Sequence, residues 1–186
     1  MLLEKSLKKI VKQYWLLFTI ASIIIIFDQI TKAIVRANIP FGGQWMPLTR
    51  LAPYFRFVHW ENTGAAFGMF QNGGLIFSIL AVIVTIFIIG YFPQIPKEEK
   101  LMRVAIAMQL GGALGNLIDR LVFGPVTDFI SVGRFPVFNI ADSSITVGVG
   151  LLLLALWLAE RRERREKLGS DSTSSQEIAE PADDQL

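Results

Sequence analysis

Asp28 and Lys32 stand four residues apart within an otherwise apolar stretch, and Asn116, Asp119 and Arg120 lie together in a second one. Asn139 and Asp142 open a third apolar stretch, and Asp128 falls in the segment just before it. These groups can transfer protons, hold a peptide or bind an anion. Other chemistries are closed to the chain. It has no cysteine, which rules out disulfides, thiolate nucleophiles and cysteine-based zinc sites. The single histidine, His59, sits beside Trp60 in a loop-like stretch, without an HExxH zinc motif or a GxSxG elbow. It reads as a plain exposed or interfacial histidine. Any catalysis must therefore come from carboxylates, hydroxyls, amides, Lys or Arg.

The elements that carry these residues are built for lipid. Of 186 residues 52% are hydrophobic and 18% charged, where soluble domains average roughly 25% charged. Mean hydropathy is +0.47, and the apolar residues come in blocks. A helix needs about 20 apolar residues to cross a hydrocarbon core, and four stretches qualify: 15–35, 75–92, 101–123 and 139–159. The third is the most polar, and its Gly111 and Gly115 have the GxxxG spacing that lets helices approach closely, so it reads as the interior helix. The first is too long for a signal-peptide core, with Asp28, Gln29 and Lys32 where a cleavage site would fall, so it reads as a retained span.

The net charge of +2 hides clusters at Lys5, Lys8, Lys9 and Lys12, at Lys97, Lys100 and Arg103, and at Arg161, Arg162, Arg164, Arg165 and Lys167. Abutting apolar blocks, they read as orienting charges and not as a nucleic-acid arm, and put both termini in the cytoplasm. The expected fold is an all-α membrane protein of four transmembrane helices with a small extracytoplasmic β-containing segment, where Phe55–Trp60 is rich in aromatic and β-branched residues. Residues 1–165 form the membrane domain, and 166–186, rich in Ser, Asp and Glu, read as a disordered polar tail.

Depth links the polar residues. At 1.5 Å per helical residue, Asp28 lies roughly 20 Å from the cytoplasmic face, and Asn116, Asp119 and Arg120 roughly 22–29 Å from their entry. Asn139 and Asp142 lie within roughly 5 Å of the outer face. All converge near the extracytoplasmic interface, while the cytoplasmic half of the helices is almost free of polar side chains. A coupled transporter should hold charges at the midplane with access from both sides; one polar pocket open outward suits an enzyme. Each group also has a structural reading: Asp28 with Lys32 as an ion pair, Asp119 neutralised by Arg120, Asn116 and Asn139 as interhelical hydrogen bonds. A non-catalytic lipid-binding scaffold would use them only in that way.

Five motifs in order resemble the lipoprotein signal peptidases (signal peptidase II), over about 15–161. Asp28-Gln29-Ile30-Thr31-Lys32 is similar to D-Q-x-x-K, and Asn62-Thr63-Gly64-Ala65-Ala66-Phe67 to N-x-G-x-A-F. The segment 112–120 resembles G-A-x-G-N-x-x-D-R, 126–129 resembles V-x-D-F, and 138–143 resembles F-N-x-A-D-S. The resemblance implies an aspartyl endopeptidase of the bacterial inner membrane. Its substrate would be a prolipoprotein cut just before a cysteine carrying a diacylglyceryl group. It implies Asp128 and Asp142 as the catalytic dyad, with Asp119 supporting and Asn62, Gly64, Asn116, Arg120 and Asn139 around dyad and substrate. Asp28 and Lys32 match positions of structural support. No metal or other cofactor is expected; the partners are the lipidated substrate and membrane lipid, the inhibitor is globomycin, and the protein is expected to be a monomer. The stretch between Asp128 and Asp142 is compact, which leaves the shape of the outer loop open.

Overall fold

In a computed structural model the chain is described over residues 2–64 and 73–177. Four helices carry the fold: α1 (Leu2–Asn38), α2 (Gly74–Tyr91), α3 (Lys100–Val122) and α4 (Ile140–Glu177). Each contains a stretch long and apolar enough to cross a membrane. Three strands, β1 (Gln44–Trp45), β2 (Phe55–Asn62) and β3 (Val126–Val132), form an antiparallel sheet in that order. The expected helices are thus present with ends shifted by a few residues, except at the termini, where α1 and α4 run well past the apolar stretches. Helix α4 reaches Glu177, into the segment read as a disordered tail; residues 178–186 of that tail lie outside the described residues.

α3 is the central helix. It packs on α1, α2 and α4, and more than half of it is buried. Its small residues are the cause. A Cβ added at Gly112 would strike the Ala141 carbonyl of α4, and one at Gly115 would lie 2.8 Å from Asp28 Oδ2 of α1. With side chains there, neither helix could approach to this distance. The outward faces are apolar for the opposite reason: Ile76, Ile79, Ile83 and Phe87 of α2 are exposed because their solvent is lipid.

At the end of the bundle opposite the short α2–α3 connection, β3 lies between α1 and the site. Side chains alternate along a strand. Phe129 packs against Val35 of α1 and Ile39 just past its end, while Val126 and Asp128 point the other way. The sheet extends beyond the short strand or hairpin expected around Phe55–Trp60; β3 was hidden because an aspartate breaks its apolar pattern. Register slips between Phe57 and Trp60, so that Phe57 faces Ile130 and Trp60 faces Asp128. That bulge re-aims the end of β2 and makes Asn62 the diagonal neighbour of Asp128.

Two sequence readings need correction. His59 is buried, not exposed, with Nδ1 2.7 Å from the Ile39 carbonyl oxygen, so it ties β2 to the end of α1. Arg103 belongs to no loop cluster: it is buried in the first turn of α3, donates to the carbonyls of Gln13 and Ile95 at 2.9 Å, and stacks over Phe92. The arginine thereby ties the start of α3 to α1 and to the short connection that follows α2.

Candidate active site

Asn139 and Asp142 hold the start of α4 in a reciprocal cap. Asp142 N donates to Asn139 Oδ1 at 2.9 Å, and Asn139 N donates to Asp142 Oδ2 at 3.3 Å. The next free amide, Ala141 N, donates to Asp28 Oδ1 at 2.9 Å. The first turn of α4 is therefore anchored by a carboxylate from α1 and by its own Asp142. The side chain of Asn139 does further duty: its Nδ2 donates to Asp128 Oδ1 at 2.7 Å. One buried asparagine thus links both aspartates.

Asp128 is almost wholly buried, and its second oxygen accepts from Asn62 Nδ2 at 2.9 Å. Asn62 Oδ1 in turn accepts from Gly64 N at 3.0 Å, which closes a turn at the end of β2. The remaining residues of that motif, Ala65–Phe67, lie outside the described residues. Asp142 Oδ1 accepts from Asn116 Nδ2 at 2.7 Å. Burial, and after it the charge of Asp142, push the Asp128 carboxyl up to about 7, against the pull of Asn62 and Asn139. The Asp128 carboxyl therefore changes protonation state near neutral pH.

Behind this pair lies a network sealed from solvent. Lys32 Nζ meets Asp28 Oδ2 at 2.8 Å, Asp119 Oδ2 at 3.1 Å and Asn116 Oδ1 at 3.0 Å, and all three charged side chains are fully buried. An ammonium has three donors, and each is used. Asn116 Oδ1 also accepts from Asn139 Nδ2 at 3.1 Å, so its amide can turn only its nitrogen toward Asp142. Asp119 is not neutralised by its neighbour Arg120, since adjacent helix positions point about 100° apart. It pairs with Lys32, lies 3.7 Å from Arg36 and accepts from Thr127 N at 3.0 Å. Sequence reasoning passed over Gln29, whose Nε2 donates to Asp119 Oδ1 and to the Gly115 carbonyl, both at 3.0 Å. Its signal was an amide at bilayer depth next to Asp28.

The ten residues singled out thus fall into two layers. Asn62, Gly64, Asn116, Arg120, Asp128 and Asp142 line a cavity of about 500 Å³, walled by Phe77 of α2 and by Phe135–Phe138 ahead of α4. Asp28, Lys32, Asp119 and Asn139 lie behind it. Arg120, with its guanidinium carbon 5.5 Å from the Phe77 ring centroid, is the cation at the cavity wall. Carboxylates, amide donors and one guanidinium converge on a space large enough for a few residues of peptide.

Fold and site together define a polytopic membrane protein with a paired-aspartate cavity at one end of its helix bundle. Residues 20–158 match the family described as signal peptidase (SPase) II, and the chain belongs to that family. It is 41% identical to a lipoprotein signal peptidase of Shouchella clausii over 80% of this chain and 97% of that one. Identity is 37% to the corresponding protein of Moorella thermoacetica, over 79% and 96%, and 37% to that of Staphylococcus aureus, over 80% and 91%. A bacterial membrane enzyme solved at 2.3 Å shares the fold with a TM-score of 0.70 and 36% identity, over 76% of this chain and 87% of that one. A second, solved at 1.9 Å, has a TM-score of 0.67 and 36% identity over 75% and 91%. The chain is a peptidase.

Proposed function

We propose that the protein removes signal peptides from diacylglyceryl-modified prolipoproteins, cutting before the lipidated cysteine with Asp128 and Asp142 as the catalytic dyad. The observation that carries this reading is the buried Asn139 that joins both carboxylates at the wall of one cavity. The reaction needs no covalent intermediate. With one proton on the pair, the ionised carboxylate takes a proton from water as the water oxygen bonds to the scissile carbonyl carbon. The protonated partner hydrogen-bonds to the carbonyl oxygen as it gains negative charge. The C–N bond then breaks, and a proton passes to the departing nitrogen. The pair is the unit that titrates, so neither aspartate is singled out as the base.

Asn116 and Arg120 hold the peptide on one side and Asn62 with Gly64 on the other, leaving the scissile bond at the dyad. The buried Lys32, Asp28, Asp119 and Asn139 fix the angle at which the two carboxylates meet. Both termini are cytoplasmic, by the basic clusters, so the dyad end faces the extracytoplasmic side of a bacterial cell membrane. The substrate's acyl chains stay in the lipid while the peptide bond reaches the level of water. The catalytic unit is residues 1–165, acting as a monomer.

The test is cleavage by purified protein in detergent. A diacylglyceryl-modified prolipoprotein should be cut before the modified cysteine, the unmodified precursor should not, and globomycin should block the cut. Equal cleavage of both precursors would refute the proposed dependence on lipidation. No cleavage of either by folded protein would favour a non-catalytic scaffold.

A further inference from the structure

A second space opens from the dyad into the depth of the bundle. It has a volume of about 410 Å³ and shares Asn116, Arg120 and Asp142 with the cavity described above. One wall is the face of α2 formed by Phe77, Leu80, Ala81 and Val84, spaced as one side of a helix. The floor is α3, and the opposite edge is Ile145 of α4. Helix α2 packs on α3 but makes no substantial contact with α4 among the described residues. The space is therefore a crevice between two helices, open sideways to lipid.

At its inner end stands Gln109, seven residues before Asn116 on α3 and so roughly 10 Å deeper in the membrane. Its Nε2 is shielded from solvent and has no hydrogen-bond partner among the described residues. Its stem is pinned against α4, where a Cβ added at Gly148 would lie 3.0 Å from Gln109 Cγ. An amide donor left unpaired in apolar surroundings is costly, and because the terminal amide can turn end over end, an acceptor entering the crevice would relieve that cost.

We infer that this crevice holds the apolar segment of the signal peptide under cleavage, and that Gln109 donates a hydrogen bond to a backbone carbonyl or hydroxyl of that segment. The inference rests on the proposed function and assigns one part of its substrate a place. Depth selects the occupant. A lipid acyl chain offers no acceptor this far below its ester, whereas a peptide helix carries carbonyls along its whole length and a second lone pair on each. Lateral opening suits a substrate that is itself embedded in the bilayer. Gln109 is then a positioning residue: it sets how far the signal peptide is drawn in, and through that which bond meets the dyad.

The absence of cysteine makes a direct test available. The cysteine of the lipidated substrate is a blocked thioether, so a thiol placed in its apolar segment is the only reactive one. The full chain with Asp142→Asn and Gln109→Cys is oxidised with substrates carrying one cysteine at successive positions. Ile83→Cys, on the exposed face of α2, replaces Gln109→Cys as the control. The Gln109 thiol should form a disulfide most readily about seven residues to the amino side of the cut, matching the depth of roughly 10 Å. The control should show no preferred position. Crosslinking at Gln109 no stronger than at Ile83 would overturn the placement. In the otherwise unaltered protein, Gln109→Leu should raise KM roughly threefold to tenfold, the loss of one hydrogen bond, with a smaller change in kcat. An unchanged KM would overturn the hydrogen bond and leave a water as its partner. Absence of cleavage by the unaltered protein would instead refute the proposed function, so the two failures are distinguishable.

Discussion

Asp128 and Asp142 differ in what their replacement disturbs. Both oxygens of Asp128 accept amide hydrogens, from Asn139 and Asn62. Asp128→Asn therefore sets an NH2 group against another one, and should lower stability by about 1–3 kcal/mol besides removing turnover. The check is thermal unfolding in detergent alongside the assay. The raised Asp128 pKa gives a pH dependence with a fixed sign. A carboxyl near 7 in the folded protein, against an ordinary value of 3.8, binds its proton more tightly when folded. Its contribution to stability is complete below about 3.8 and is lost as pH rises through about 7. Activity should follow the shared proton: kcat/KM should fall on the alkaline side with an apparent pKa near 7 belonging to the pair. A profile flat from pH 6 to 9 would contradict the proton-sharing dyad.

The helices position these groups through charges that never reach water. Lys32 is the one cation between the buried carboxylates Asp28 and Asp119, with Arg36 farther off. Lys32→Met would strand both, and should cost roughly 3–5 kcal/mol, visible as a lowered unfolding midpoint. Gly112→Leu should separate α3 from α4 and disturb the cap that orients Asp142, with loss of both stability and turnover. Much of this was legible beforehand. Apolar blocks gave four spans, glycines at 111 and 115 marked α3 as the interior helix, and depth alone brought Asp28, Asn116 and Asp142 to one level. What stayed hidden depends on direction. Spacing could not tell that Asp119 turns toward Lys32 and away from Arg120. It could not show that Asn139 serves cap and dyad together, or that a bulge in β2 delivers Asn62 to Asp128. Gln109 was missed because a single amide barely alters the hydropathy of a span.

The whole molecule is a bundle with its polar machinery at one end and lipid-facing side chains around it. The proposed orientation puts the sheet outside the cell membrane and the end of α4 inside. Single cysteines at Tyr54 and Arg164, both well exposed, test this in intact cells with a membrane-impermeant thiol reagent. Tyr54→Cys should label and Arg164→Cys should label only after lysis; the reverse pattern would invert the topology. The same orientation explains why the crevice at Gln109 matters, since a substrate entering from the bilayer meets it on the way to the dyad.

The most direct measurement is cleavage of a diacylglyceryl-modified prolipoprotein by the folded Asp128→Asn and Asp142→Asn variants beside the unaltered protein. The account predicts cleavage before the lipidated cysteine by the unaltered protein and none by either variant. Normal turnover by either variant would contradict the shared-proton dyad on which the mechanism stands.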